Sequence, residues 1–356
     1  MIPLLQRLQP RPQTARKSIG LALQGGGSWG AYTWGVLDVI LASRRVAIAQ
    51  LSGTSAGAIN AAIVAGALAK GSPVRAREAL AAFWRRITAP SLPLSEPVQQ
   101  AWRETFGVWL LGVVSPYQAN PLGIHPLRDA IEAHVDIEAI RSGSAPPLFV
   151  TLTNVRTGLP RVISNAEMSV EALLASACLP QLFQAVEIDG EPYWDGAYLG
   201  NPALAPMIRS GAASDLVVVQ LVPEGPEEAP RDALSIRRRV GEIVFNASLV
   251  AEMQAIATLR DATGSRKTAM RDLRLHRIGP PRRELLQQGS TLERSRIWLE
   301  RLRAEGRAAA KAFIARHAAD LGVRETLDIA ATFTAPGNDG GAAANEPSYA
   351  LPSTER

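Results

Sequence analysis

The sequence predicts an α/β fold, with a mostly parallel central sheet and helices gathered at the C-terminal end. Three observations carry this. Two strand–glycine turn–helix units follow one another near the N-terminus, a β-branched run recurs far downstream, and the chain beyond Arg231 is periodic at helical spacing. Strand, turn and helix in direct succession fit parallel strands, because parallel neighbours need a crossover between them.

Ser18 to Gln24 (SIGLALQ) is apolar enough for a buried strand, and Gly25, Gly26 and Gly27 break it before an apolar-periodic stretch from Ser28 to Ser43. The second unit has Ile48 to Ser52 as strand, Gly53 to Gly57 as turn and the small residues Ala58 to Lys70 as helix. The stretch 89–126 changes character: six prolines alternate with Trp102, Phe106, Trp109 and neighbouring aliphatics, which reads as an insertion and a candidate lid. Regular structure resumes with Leu148 to Asn154 as strand, Arg161 to Ser164 as its partner, Val170 to Ala177 as helix, and an extended pair formed by Ala185 to Asp189 with Tyr193 and Trp194. Leu216 to Leu221 (LVVVQL) has the β-branched run of a buried strand. Ile236 to Leu259 and Thr291 to His317 are amphipathic helical patterns, separated by a strand candidate at Leu273 to Ile278.

These elements form one domain over 18–330, preceded by a short basic arm, 1–17, and followed by a small, polar, Pro/Gly-rich tail, 335–356, expected to be disordered. With 47% apolar and 20% charged residues in 356, the composition is that of a globular chain. The basic arm lacks the apolar core and small-residue cleavage site of a secretory signal. The longest unbroken apolar run, Ala61 to Ala69, is about half of the roughly 20 residues that cross a bilayer, so no transmembrane helix is expected. The single cysteine, Cys178, sits in an apolar setting and reads as a buried structural thiol. A cytoplasmic location fits, with any membrane contact peripheral.

Charge is uneven. Between Arg231 and Asp320 there are 19 Lys and Arg against 10 Asp and Glu, a surplus of nine in a chain whose net charge is +5. Such a surplus fits peripheral contact with an anionic membrane, or a solvated helical surface; nucleic acid is not the expected partner.

Gly53-Thr54-Ser55-Ala56-Gly57 is a G-x-S-x-G sequence between a strand and a helix. A sharp strand-to-helix turn with small neighbours exposes a serine hydroxyl and aims the helix N-terminus at it, which makes Ser55 a candidate nucleophile; the alternative is a serine that caps the helix. Gly25-Gly26-Gly27-Ser28-Trp29-Gly30 lacks the Lys-Ser or Lys-Thr of a phosphate-binding P-loop. It fits the dinucleotide pattern G-x-G-x-x-G, but no Asp or Glu occurs between Asp38 and Glu78 to hold a ribose, which leaves only an NADP variant using Arg44 or Arg45. It equally fits an oxyanion hole, in which the amides of Gly25, Gly26, Gly27 and Ser28 meet a developing negative charge. A serine nucleophile also needs a base. The four histidines are His125, His134, His276 and His317; only His125, in the Pro-rich insertion, is loosely placed for the task. Asp195, in Tyr193-Trp194-Asp195-Gly196-Ala197, ends an extended segment before a turn and is the other candidate, against the plain reading of an Asp-Gly turn.

These three segments, in this order, resemble the motifs of the patatin-like phospholipases: the glycine oxyanion loop ending at Gly30, the nucleophile elbow Gly53 to Gly57, and the motif Asp195-Gly196-Ala197. Ser176-Ala177-Cys178-Leu179-Pro180 and Phe183 also resemble the family's stretch before its aspartate. The resemblance covers roughly Ser18 to Leu221. It implies a three-layer α/β/α fold, a Ser55–Asp195 dyad without histidine, and hydrolysis of acyl esters, often of phospholipids, with no metal or other cofactor. The family commonly has Arg or Lys where this chain has Trp29, so Trp29 is expected in the substrate pocket with a preference for neutral esters over anionic phospholipids.

The expected function is therefore that of a serine hydrolase acting on lipid or other acyl esters through an acyl-enzyme. The alternative is a non-catalytic nucleotide-binding or basic interaction protein built on the G-x-G-x-x-G loop and the positive C-terminal region.

Overall fold

The computed structural model describes residues 16–88, 115–223, 225, 229–263 and 272–333. The basic arm up to residue 15, most of the proline-rich insertion and the polar tail lie outside the described residues.

Eight strands form one sheet among the described residues: β1 (Lys17–Leu23), β2 (Val46–Gly53), β3 (Leu148–Asn154), β4 (Pro160–Ile163), β5 (Val186–Ile188), β6 (Glu191–Asp195), β7 (Asp215–Val219) and β8 (Arg274–Ile278). Their order is β5-β6-β3-β2-β1-β7-β8, with β4 paired to β3. The five strands from β3 to β8 in that order are mutually parallel, while β4, β5 and β6 add antiparallel pairs. The two successive units read from the sequence are β1 with α1 (Gly30–Ala42) and β2 with α2 (Ala56–Ala69).

Side-chain alternation divides the sheet into two apolar faces. Ile19, Leu21, Leu23, Val217 and Val219 point into a large core shared with α1, α2, α3 (Pro73–Arg86), α4 (Arg128–His134), α5 (Ile137–Arg141), α6 (Val170–Ser176) and, from far along the chain, α9 (Arg296–His317). Ala22, Leu216, Val218 and Leu275 point the other way, onto α7 (Ala205–Ser210), α8 (Ala233–Thr263) and α10 (Ile329–Phe333). Helix, sheet and helix therefore make three layers, as the sequence led us to expect.

The long helix α8 departs from its sequence reading. Leu249, Met253 and Ile256 are buried against the sheet, but Ile236, Val240, Ile243 and Val244 are exposed, so its outward stripe is apolar rather than basic. Ala233–Ala262 holds an 18-residue window of mean hydropathy 1.2. Contrary to expectation, one helix among the described residues is thus long and apolar enough to cross a membrane. Yet α8 is tied into the domain: Phe245 O accepts from Asn201 Nδ2, Ser248 Oγ from the Asn201 amide, and Glu252 from the amides of Leu204 and Ala205. Part of the positive surplus is also neutralised internally, through Arg239–Glu242, Arg282–Glu305 and Arg303–Glu300.

Candidate active site

β1 and β2 run in parallel with Leu23 opposite Gly53, so the chain leaves both strands at the same edge of the sheet. The glycine loop and the serine turn consequently lie side by side, joined by a bond from the Thr54 amide to Leu23 O at 3.3 Å.

Ser55 has φ 55° and ψ −125°, a conformation that side-chain-bearing residues rarely adopt. Its neighbours must be small. A Cβ on Gly57 would stand 2.3 Å from Leu23 O, and one on Gly53 2.5 Å from Gly57 O. The hydroxyl makes no capping bond to α2, which starts at the next residue; it lies beside the buried carboxyl of Asp195, close enough to help hold it ionised. The capping alternative is thereby set aside, and the positive end of α2 faces the serine.

Asp195 ends β6 opposite Leu152 of β3 and is 1% exposed. Burial pushes its carboxyl up from 3.8 to about 7, against the opposing pull of the Ala197 amide and the nearby Ser55 hydroxyl. The Ala197 amide reaches Oδ1 at 2.9 Å. Gly196 lies against β3, where a Cβ would meet Thr151 O at 2.1 Å, so this motif tolerates no side chain at its second position.

Of the four residues expected to offer amides to an oxyanion, two are already committed. The Gly25 amide donates to Asn201 Oδ1 at 2.6 Å, and the Ser28 amide to Thr291 O at 2.8 Å. Ser28 Oγ donates to Ser290 O and accepts from Trp298 Nε1. Gly25 and Ser28 anchor the loop, while the amides of Gly26 and Gly27 have no acceptor among the described residues. Gly27 takes φ +57°. Gly30 starts α1 against Ala56, at the start of α2.

A pocket of about 300 Å³ opens beside Ser55, Gly27 and Ser28. Ile59, Phe83, Leu127, Leu179, Leu182 and Phe183 make its walls largely apolar, and Arg294 stands among its lining residues. Trp29 does not. It is 7% exposed and packs into the main core, because it sits where the loop turns inward to begin α1. The expected place of Trp29 in the substrate pocket is therefore corrected: it belongs to the core and does not bear on the choice between neutral and anionic esters, and among the described residues the cation lining the pocket is Arg294.

None of the four histidines hydrogen-bonds Ser55 or Asp195. His125 stacks on Phe183 at 4.3 Å, with burial lowering it to about 4. His276 is enclosed between Asp215 and Thr326, and His317 pairs with Asp320. His134 lies edge-on to Phe83. Cys178 donates to Gln184 O, and burial pushes its thiol up to about 12, as suits a structural residue.

Sequence reasoning missed the residues that hold the machinery in place. Ser176 accepts the Ser55 amide, Asn201 holds Gly25, and Thr291 and Trp298 clasp Ser28. Asn201, Thr291 and Trp298 lie in no motif, and their sequence separations of 176 to 270 residues from their partners leave no local signal.

A family model described as patatin-like phospholipase matches residues 21–208, from within β1 into α7. The chain belongs to this family. It is a family of lipid acyl hydrolases, and Gly25 to Gly30, Gly53 to Gly57 and Asp195 all fall inside the matched region. Thr291 and Arg294 lie beyond it, in the C-terminal region. Among solved structures, the chain is similar to VipD from Legionella pneumophila, with 14% identity, 90% of this chain and 73% of that one covered, and a TM-score of 0.40. No curated protein matches the chain in sequence.

Proposed function

We propose that this patatin-like protein hydrolyses the carboxylic esters of lipids with Ser55 as nucleophile and Asp195 as base. The placement of the Ser55 hydroxyl beside a buried carboxyl that burial pushes up to about 7 is the observation that carries this reading, because such a group can both take and return a proton at neutral pH. Ser55 Oγ attacks the acyl carbon as its proton passes to Asp195. The oxyanion that forms is met by the amides of Gly26 and Gly27 and by the N-terminus of α2. As the intermediate collapses, Asp195 gives its proton to the departing alcohol and is ionised again, while the acyl group stays on Ser55. Water then attacks the acyl-enzyme while Asp195 takes its proton, and the acid leaves as the proton returns to Ser55.

The apolar pocket fits an acyl chain, and Arg294 at its lining suits a phosphate-bearing headgroup. The outward stripe of α8, with Arg237 and Arg238 at its N-terminal end, suits peripheral contact with an anionic bilayer. The crowding of the glycine loop favours ester chemistry over the nucleotide alternative: Thr291 O lies 2.3 Å from where a Cβ of Gly27 would be, so the loop is covered by protein.

The reading is tested by labelling with a fluorophosphonate and mapping the adduct. A covalent phosphonate on Ser55, lost in Asp195→Asn together with hydrolysis of a phospholipid panel, is the expected result. A protein that hydrolyses the panel without being labelled at Ser55 would overturn it.

A further inference from the structure

Around Asp38 the structure gathers more positive charge than it neutralises. Asp38, on α1, is 1% exposed, and its Oδ2 accepts from Arg303 Nη2 at 2.7 Å, Arg303 Nε at 2.9 Å and Arg307 Nη1 at 2.9 Å. Arg77, reaching in from α3, brings its Nε to 3.6 Å from the other carboxylate oxygen. That Nε is buried and has no hydrogen-bond partner. Arg303 is further compensated: it contacts Glu300, and its guanidinium carbon stands 3.9 Å from the centre of the Trp34 ring. Arg77, Arg303 and Arg307 thus share Asp38 and Glu300, three cations against two carboxylates, which leaves the cluster with an excess of positive charge.

Arg77 and Arg307 line a shallow surface pocket of about 570 Å³ with Asp38, Arg45 and Lys311. Arg45 comes from the turn after α1 and Lys311 from the next turn of α9 beyond Arg307. Both are exposed, and neither has a carboxylate within ion-pair distance among the described residues. Four cations from three separate segments thus converge on one concavity, against a single carboxylate. The remaining walls are uncharged: Val39, Ala42, Ser43, Ile314 and Ala315.

We propose that this pocket binds a phosphate group, held by the guanidinium forks of Arg77 and Arg307 and by the exposed charges of Arg45 and Lys311. Guanidinium groups offer paired N–H donors that match phosphate oxygens, and an ammonium adds a point charge without geometric demand. The site is separate from the ester-cleaving one. Arg45 immediately precedes β2 and Ser55 follows it, so the eight residues of the strand, about 25 Å, stand between them. The bound phosphate would tie α1 and α3, inside the region matched by the family model, to α9, which lies outside it and carries the Trp298 that holds Ser28. Binding to the folded state alone raises its stability by mass action.

The test is thermal unfolding of the full chain titrated with inorganic phosphate, with chloride at matched ionic strength as control. The wild type is expected to show a saturable rise in Tm with phosphate and none with chloride. Arg45→Ala/Lys311→Ala, which removes two exposed side chains without ion-pair partners among the described residues, should weaken phosphate binding by about tenfold, each exposed charge contributing roughly a threefold factor. Arg316→Ala, an exposed cation on α9 outside the pocket, should bind as wild type does. Equal shifts in phosphate and chloride, or an unchanged phosphate affinity in Arg45→Ala/Lys311→Ala, would overturn the proposal. A second arm identifies the source of the phosphate. If vesicles of phosphatidylcholine with phosphatidic acid compete with inorganic phosphate for the wild-type site, the ligand is a lipid headgroup; if only soluble phosphate esters compete, it is a free metabolite.

Discussion

The amide of Ser55 donates to the hydroxyl of Ser176 at 3.0 Å, and that hydroxyl donates in turn to the carbonyl of Thr151 at 2.9 Å. The same carbonyl is the one against which Gly196 packs. One backbone oxygen of β3 therefore sets the positions of both the serine turn and the aspartate turn. Ser176→Ala should strand the buried Ser55 amide, at a stability cost of about 1–3 kcal/mol. It should also lower kcat several-fold with little change in KM, since the pocket walls are untouched. Chemical denaturation and steady-state kinetics on one preparation check both; lost stability with an unaltered kcat would show that Ser176 supports the fold without positioning the nucleophile.

At Ser55 itself, hydroxyl and backbone can be separated by two substitutions. Ser55→Ala and Ser55→Gly should both be inactive. Only the glycine relieves the φ 55°, ψ −125° conformation, and the relief outweighs the greater unfolded-state freedom of glycine. Ser55→Gly is expected to be more stable than Ser55→Ala by about 1 kcal/mol in equilibrium denaturation. Equal stabilities would mean that the turn is not held against its preference.

The parts of this site visible in the sequence are those governed by local geometry. Gly53, Gly57 and Gly196 are legible because each lies where a Cβ would strike a backbone atom, and Ser55 because a strand-to-helix turn marks it. The parallel strands were equally legible, since each β-branched or apolar run is bounded by its own turn. What stayed hidden depends on distance along the chain. Nothing near Gly25 announces that Asn201 takes its amide, and nothing near Ser28 that Thr291 takes its own, so four loop amides read as equivalent where only Gly26 and Gly27 are free. Trp29 was misread for a related reason. Its position in the motif says nothing about which way the chain turns, and the turn carries it into the core. The face that α8 presents was hidden too, because its helical period fits either stripe inward.

The titration of Asp195 has opposite consequences for activity and stability. As a base it must be ionised, so kcat/KM should rise with pH and level off above about 7. The folded state holds this proton more tightly than the unfolded chain, where the carboxyl titrates near 3.8. Its contribution to stability is therefore fully present below about 4 and is lost as pH rises toward 7. Asp195→Asn cannot ionise and escapes that loss. The inactive variant should be more stable than the wild type at pH 8, by at most about 4 kcal/mol, with the difference vanishing at acid pH. Thermal unfolding of both proteins across this range is the measurement; a variant less stable than the wild type at alkaline pH would mean that the buried carboxylate is stabilised by its hydrogen bonds.

The membrane contact proposed for α8 makes a prediction in which salt and hydrophobicity act separately. Ile236, Val240, Ile243 and Val244 are 38–55% exposed and recur at helical spacing, so they form one stripe rather than scattered apolar residues. Seated in the interfacial region of a bilayer, each such side chain is worth roughly 1.5–3 kcal/mol if fully buried. Arg237 and Arg238 beside them add on the order of 1 kcal/mol each near an anionic leaflet, a contribution that salt screens. Val240→Asp/Ile243→Asp should therefore abolish co-sedimentation with vesicles of phosphatidylcholine and phosphatidylglycerol at every salt concentration. Arg237→Gln/Arg238→Gln should remove only the extra binding seen at low salt. Neither pair touches the pocket or the residues around Ser55, so hydrolysis of a soluble short-chain ester should stay at the wild-type rate while hydrolysis of vesicle lipid falls. Co-sedimentation of Val240→Asp/Ile243→Asp at the wild-type level would show that the exposed stripe of α8 does not meet the bilayer, and would leave the remaining arginines of α9 as the only basis for membrane contact.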